Sequence, residues 1–367
     1  MVARKNASNS QRKTEGVLPN EKVSKLSLEQ KEAVLFSFMD NRIFGAMIPN
    51  KDDVFSGIQT VYTGPLQVLP SITQHPIAIE MTQVTSPFKG RKEITQKKEN
   101  ADETDLGDER EIKSKLSGGF GFRYTVPYGL YIGGAVFNAM RGKICKTTDH
   151  DIKMFDSGAI YGPLFGRSAT KTWVQHIVFI HVEYQDDSDG GWHDLMGRIQ
   201  TTVRKDPESI TDAPYEPTDV TVNTGKLQEY LANNDNGIHR VEFYIPDYAL
   251  NLFPDLRKLK NVLESLPKMD NYTDSHTRNH EYVWITEVRH SSANGDPAMD
   301  NQPRSLLNNH GIYTPERFKR WVREYIEAMG ERVFVSRNEL SISPKKASQH
   351  LIQKMNKAYP VEKAGDE

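Results

Sequence analysis

The sequence has a single cysteine, Cys145, in 367 residues. An internal disulfide is therefore excluded, and a reducing, cytoplasmic setting is expected. It has no apolar run approaching the roughly 18 residues that a membrane span requires, and its basic, polar start lacks the apolar stretch of a secretion signal. No membrane partner is expected. Net charge is also nearly absent: 47 Lys+Arg stand against 49 Asp+Glu, a formal −2. Nucleic-acid-binding domains are usually basic overall, so any phosphate-binding role here must rest on local clusters.

Catalytic motifs are missing as well. The glycines of GGFGFR at 118–123 do not have the spacing of a dinucleotide loop, and there is no P-loop or nucleophile elbow. His276 and His280 stand four apart, but in a loop-like stretch without a cysteine pair. His176 and His181 stand five apart in a predicted strand, which places them on opposite faces. No metal, cofactor or catalytic residue is expected. The aromatic RNP1 pattern is absent too, so stacking of bases on an open sheet is not expected.

What is present falls into distinct segments. Residues 1–26 form a basic arm, with six Lys/Arg and two Glu in the first 25 residues and no apolar periodicity, and are expected to be disordered. A capping-box pattern from Ser27 opens a short helix through Met39, and 40–49 reads as a charged turn entering an apolar strand. Residues 58–84 suggest two strands or one bent strand. The stretch 85–119 is set apart by charge, with five basic residues and one acid in 89–98 and seven acids and one Arg in 99–111. Such blocks bury too little apolar surface for a core and should project into solvent. Tyr128–Met140 reads as a second main helix, 173–184 as a buried strand and 238–245 as a further one. Residues 246–280 read as a linker with one helix. A strand at 281–288 precedes the polar loop 289–304. Thr314-Pro315 then opens an amphipathic helix carrying Phe318, Trp321, Val322, Tyr325, Ile326 and Met329, which Gly330 ends. Residues 332–336 suggest another strand, and 341–367 a flexible tail. The fold class is α+β, and the order strand, loop, helix, strand is half of a ferredoxin-like or RNA-recognition-motif fold.

The motifs DNRIFGAM (40–47), TGPLQ (63–67), RYTVPYGLY (123–131), VEFYI (241–245) and NGDP with N-x-PR (294–304) together resemble the backbone subunit of type I CRISPR Cascade complexes, the seventh Cas family, in its I-B and I-C branches. The resemblance covers roughly residues 27–340. In that family the NGDP loop and first helix come first; here they come last. The chain therefore resembles a circular permutant of a modified RNA-recognition-motif fold, its palm formed by 27–245 and 281–340 and joined through 246–280, with a thumb insertion at 85–119. Surface termini that lie close together make such a rearrangement physically reasonable.

The resemblance implies a non-enzymatic protein whose copies stack along CRISPR RNA in a helical filament. With other Cascade subunits they present the guide for pairing with target DNA. Such a protein needs backbone contacts that ignore sequence. Matching positions point to Lys319, Arg320 and Arg323 on the basic helix face, and to Arg304 before it. A solvated charged face is the plain alternative. Arg42 is either a phosphate ligand or a partner of Asp40. Gln67, Arg123, Tyr124 and Arg167 are further RNA-binding candidates, while Asn294, beside Asp296, binds RNA or shapes its loop. Two other readings are a type III-like subunit cleaving target RNA through Asp102, Asp105 or Asp108, and an interaction module without RNA.

Overall fold

The computed structural model describes residues 27–47, 59, 61–85, 120–185, 193–204 and 212–336. The arm, most of the charged stretch and the tail lie outside these residues. Helices α1 (Leu28–Leu35) and α2 (Met39–Phe44) lead into β1 (Gly45–Met47). Residues 40–44 are thus helical, where a turn was expected. The cause is tertiary: Asn41 donates to Leu35 O, and Asp40 accepts from the backbone N–H of Phe334 and Val335. Gly45 has φ of +83° and its Cβ position is occupied by the Tyr62 backbone, so only glycine fits this corner.

Four short strands follow in place of the one or two expected: β2 (Val61–Thr63), β3 (Leu66–Val68), β4 (Ser71–Pro76) and β5 (Glu80–Thr85). All but β2, which pairs with β1, run along β6 (Phe120–Phe137), an 18-residue strand. This corrects the helix expected at Tyr128–Met140. A Cβ on Gly133 would overlap Ser71 Oγ and the Trp284 indole, and one on Gly134 would lie 2.7 Å from Tyr282 O. These glycines admit neighbouring strands on both sides rather than a packed helix.

Next come α3 (Ala139–Cys145), α4 (Asp149–Phe165), started by a Thr148–Asp151 capping box, and β7 (Val174–Tyr184). The chain continues through β8 (Gln200–Val203), β9 (Val220–Asn223), α5 (Gly225–Ala232), β10 (Ile238–Tyr244), α6 (Asp247–Leu252) and α7 (Asp255–Ser265). The expected linker therefore holds two helices, and Leu256, Leu259 and Leu263 of α7 are fully buried. It is part of the core. Finally come β11 (His280–Ser291), β12 (Gly295–Asp296), β13 (Gln302–Pro303), β14 (His310–Tyr313) and α8 (Pro315–Ala328). Thr314 caps α8, and Gly330, at φ +95°, ends it, as the sequence indicates. Residues 332–336 form no strand: Arg332 O accepts from Met39 N, and the following residues dock on Asp40.

The main sheet runs β10–β7–β11–β6–β4–β14, with neighbours antiparallel. The late strand β11 lies between β6 and β7, so β6, α4 and β7 form a unit split by a strand more than 90 residues further along. Tyr282 and Trp284 face a core shared with Phe155 of α4 and with Phe318 and Trp321 of α8. Val283 and Ile285 face the other core, with Leu227 of α5 and Leu256 of α7. Both faces of the sheet are covered. One predicted alternation fails: His176 packs beside Trp284 and His181 on Tyr282, both on the α4–α8 face. The pairing of β7 with β11 shifts at Ile285/Thr286, and the extra residue Ile177 reverses the parity of the strand.

His181 belongs to a buried proton chain. Its Nδ1 is 2.7 Å from Asp156 Oδ2, its Nε2 is 2.7 Å from His280 Nδ1, and His280 Nε2 is 2.8 Å from Ser275 O. A carbonyl only accepts, so His280 donates through Nε2 and His181 donates to His280; with both imidazoles neutral, the proton between His181 and Asp156 sits on Asp156. Burial favours the same neutral state, raising the Asp156 carboxyl well above its usual range and lowering His181 to about 3. Burial also lowers His75 to about 4 and His176 to about 3. Their folded values lie below the ordinary 6.5, so the stability they contribute is complete above that pH and is lost as pH falls. At pH 5 this costs ~2 kcal/mol for each of these two histidines. Burial raises the Asp156 carboxyl, and raises Glu242 to about 7; both shift in the sense opposite to His181 and His280 and oppose their effect. A net loss of a few kcal/mol between pH 7 and pH 5 is expected, read as a lower thermal midpoint at constant ionic strength. An unchanged or higher midpoint at pH 5 would contradict it.

Candidate nucleic-acid interface

The loop after β11 is shaped by its own polar groups. Asp296 accepts from Ala298 N at 3.0 Å, Asn294 O accepts from Arg304 N at 2.9 Å, and Asp300 and Asn301 take left-handed conformations at the corner between β12 and β13. Arg304 is laid across the loop, with Nε 3.4 Å from Gly295 O and Nη2 3.6 Å from Asp296 Oδ1.

This loop forms one wall of a cleft of about 620 Å³. The other walls are Phe122, Arg123 and Tyr124 of β6, Thr170 and Lys171 before β7, and the first turns of α8 with Glu316, Arg317 and Arg320. Tyr124 donates to Asp300 Oδ2 at 3.3 Å across it. A second hollow of about 440 Å³ adjoins it, bounded by the end of α4 and the turn Gly166–Ser168. Lys171, Arg317 and Arg320 line both, which makes the two one continuous groove. Six cations (Arg123, Arg167, Lys171, Arg304, Arg317 and Arg320) line it against four carboxylates (Asp300, Glu316, Glu324 and Glu327). One of those carboxylates, Glu324, is paired with Arg320 at 2.8 Å. A chain with a slight negative balance has gathered an excess of positive charge at one corner of its sheet.

Of the residues singled out from sequence, Arg123, Tyr124, Asn294, Arg304 and Arg320 meet in the first cleft and Arg167 lies in the second. The others lie elsewhere. Arg42 forms a two-pronged ion pair with the buried Asp151, at 2.8 and 2.6 Å, so its carboxylate partner is Asp151 rather than Asp40. Asp40 instead holds Arg323 at 3.1 Å. Lys319 and Arg323 flank the Phe44 ring on a different side of α8 from Arg320, and burial together with Arg323 lowers Lys319 below its ordinary value. Gln67 donates to Gly64 O at 2.7 Å, away from the groove.

Sequence reasoning missed Arg317 and Lys171. Arg317 is buried, donates to Ala293 O at 3.2 Å and lies 4.6 Å from the Trp321 ring, so it ties the loop to α8. An Arg four residues before a Trp on a helix was the available signal. Lys171, in a turn, offered none. Among the described residues there is no group of three or more His, Cys, Asp or Glu placed to hold a metal ion, and no helix long and apolar enough to cross a membrane.

Fold and groove together define an α+β protein with an open central antiparallel sheet and a cationic corner. The model of the CRISPR-associated protein Cas7 family matches residues 2–224 and 278–365, and the chain belongs to that family. The unmatched interval contains α5, β10, α6 and α7, most of the layer covering the second face of the sheet. No curated protein matches the chain.

Proposed function

We propose that this protein is a non-enzymatic backbone subunit of a type I surveillance complex of the I-B or I-C kind, which holds CRISPR RNA by its phosphates in the groove between β6, the β12–β13 loop and α8. The observation that carries this reading is the groove itself: its arginines come from parts of the chain nearly 200 residues apart and converge on one corner of the sheet. Copies of the chain stack along the RNA in the cytoplasm, with other Cascade subunits, and leave the bases available for target DNA. The palm is a permuted RNA-recognition-motif fold, with β11 and α8 as its first strand and helix. This fits the split unit of β6, α4 and β7 around β11. Thr85 and Phe120 face each other across the β5–β6 hairpin, so the charged insertion, itself outside the described residues, leaves and returns at one point beside the groove, as a thumb requires. Asp102, Asp105 and Asp108 lie within that insertion, and no observation favours the RNA-cleaving reading.

Purified protein is expected to carry RNA, seen as absorbance that ribonuclease removes, and to leave complementary RNA intact with or without divalent metal. Protein free of nucleic acid that also fails to bind added RNA would overturn the proposal, and metal-dependent cleavage would replace it with the type III-like reading.

A further inference from the structure

Phe165 ends α4 at the mouth of the second hollow with 56% of its surface exposed. A single exposed aromatic is ordinary on a protein surface; this one is backed and positioned. Tyr325 meets it edge-on, with centroids 6.5 Å apart and planes at 88°, and Tyr325 is itself stacked on Tyr161 at 6.0 Å. The end of α4 is fixed against α8, because a Cβ on Gly162 would lie 2.7 Å from Trp321 O. The ring is therefore held in place beside Arg167, Lys171 and Arg320, with more than half of the residue's surface open to solvent.

We infer that Phe165 is a stacking platform for one base of a single strand whose phosphates follow Arg320, Lys171 and Arg167. This rests on the RNA-binding reading above and adds to it a base contact that is blind to sequence. Every base has a π-face, so an aromatic platform beside a cationic track suits a subunit that must accept any guide. In a duplex both faces of a base are already stacked, and the platform has nothing to hold. The groove therefore prefers single strands to duplexes for a reason other than charge.

The test uses the full chain, freed of copurified RNA, and a short mixed-sequence RNA followed by fluorescence anisotropy. Phe165→Ala is expected to weaken binding by about 5- to 150-fold, the range for loss of one base–aromatic stack. The slope of log K against log salt should stay unchanged, because no phosphate contact is lost. Phe165→Leu, which keeps apolar bulk without a π-face, should bind like Phe165→Ala. Phe165→Trp should bind like the parent and add tryptophan fluorescence that RNA quenches. On an abasic strand of the same length, parent and Phe165→Ala should bind equally. Parent-like binding of the base-bearing RNA by Phe165→Ala, or an equal loss on the abasic strand, overturns the assignment. A parent protein that binds neither strand overturns the RNA reading itself, and the platform with it.

Discussion

A chain ending at residue 275 is expected to be insoluble, and residues 276–367 supplied as a separate chain are expected to rescue it. The missing part contains the strand between β6 and β7 and the helix that covers it. Tyr282, Val283, Trp284 and Ile285 are each at most 1% exposed. The Trp284 indole stacks on Phe318 at 4.2 Å, with planes 9° apart, and donates to Tyr313 Oη at 2.7 Å. Burying four such side chains contributes about 1.5–3 kcal/mol apiece, which is comparable to the whole stability of an ordinary domain, about 5–15 kcal/mol. Without them β6 and β7 each lose a ladder partner, and unpaired edges with exposed core faces aggregate. Size-exclusion chromatography of the two fragments, apart and co-expressed, reads the result. A monodisperse 1–275 fragment would mean two independent folding units, and the assignment of β11 as the central strand of one palm would fail.

Features set by neighbouring residues were legible in the sequence. Thr314-Pro315 and Gly330 bound α8 because capping is local, and the alternation of 281–288 gave β11. What depends on distant partners was not legible. The glycines and aromatics of 128–140 read as a poor helix because Ser71, Tyr282 and Trp284, which need the space those glycines leave, lie far off in the chain. Arg42 follows Asp40 by two positions in sequence and binds Asp151, 109 positions away. The basic run on α8 reads as one face until Phe44 takes Lys319 and Arg323 to one side, while Arg320 turns to the loop. Candidates chosen for a motif at a loop or strand end, such as Arg123, Asn294 and Arg304, came together in the groove. Arg42, also chosen where a turn enters a strand, and Gln67 did not.

Reversing Arg123 and Arg320 together, as Arg123→Glu with Arg320→Glu, is expected to weaken RNA binding at least ~25-fold at 0.1 M salt, by a similar factor for every sequence. The two side chains reach the groove from β6 and α8, so their shared effect depends on the groove being one site. Each lost phosphate contact on a single strand removes about 0.7 from the log–log salt slope. Lys319→Gln is the companion variant, since Lys319 lies beside Phe44 rather than in the groove. The slope of log K against log salt for the parent and these two proteins is the most direct measurement of where the RNA lies. The groove predicts a slope shallower by about 1.4 for the double reversal and unchanged for Lys319→Gln. A folded double reversal with the parent's slope, or a Lys319→Gln variant that loses as much, would contradict it and move the RNA to the other side of α8.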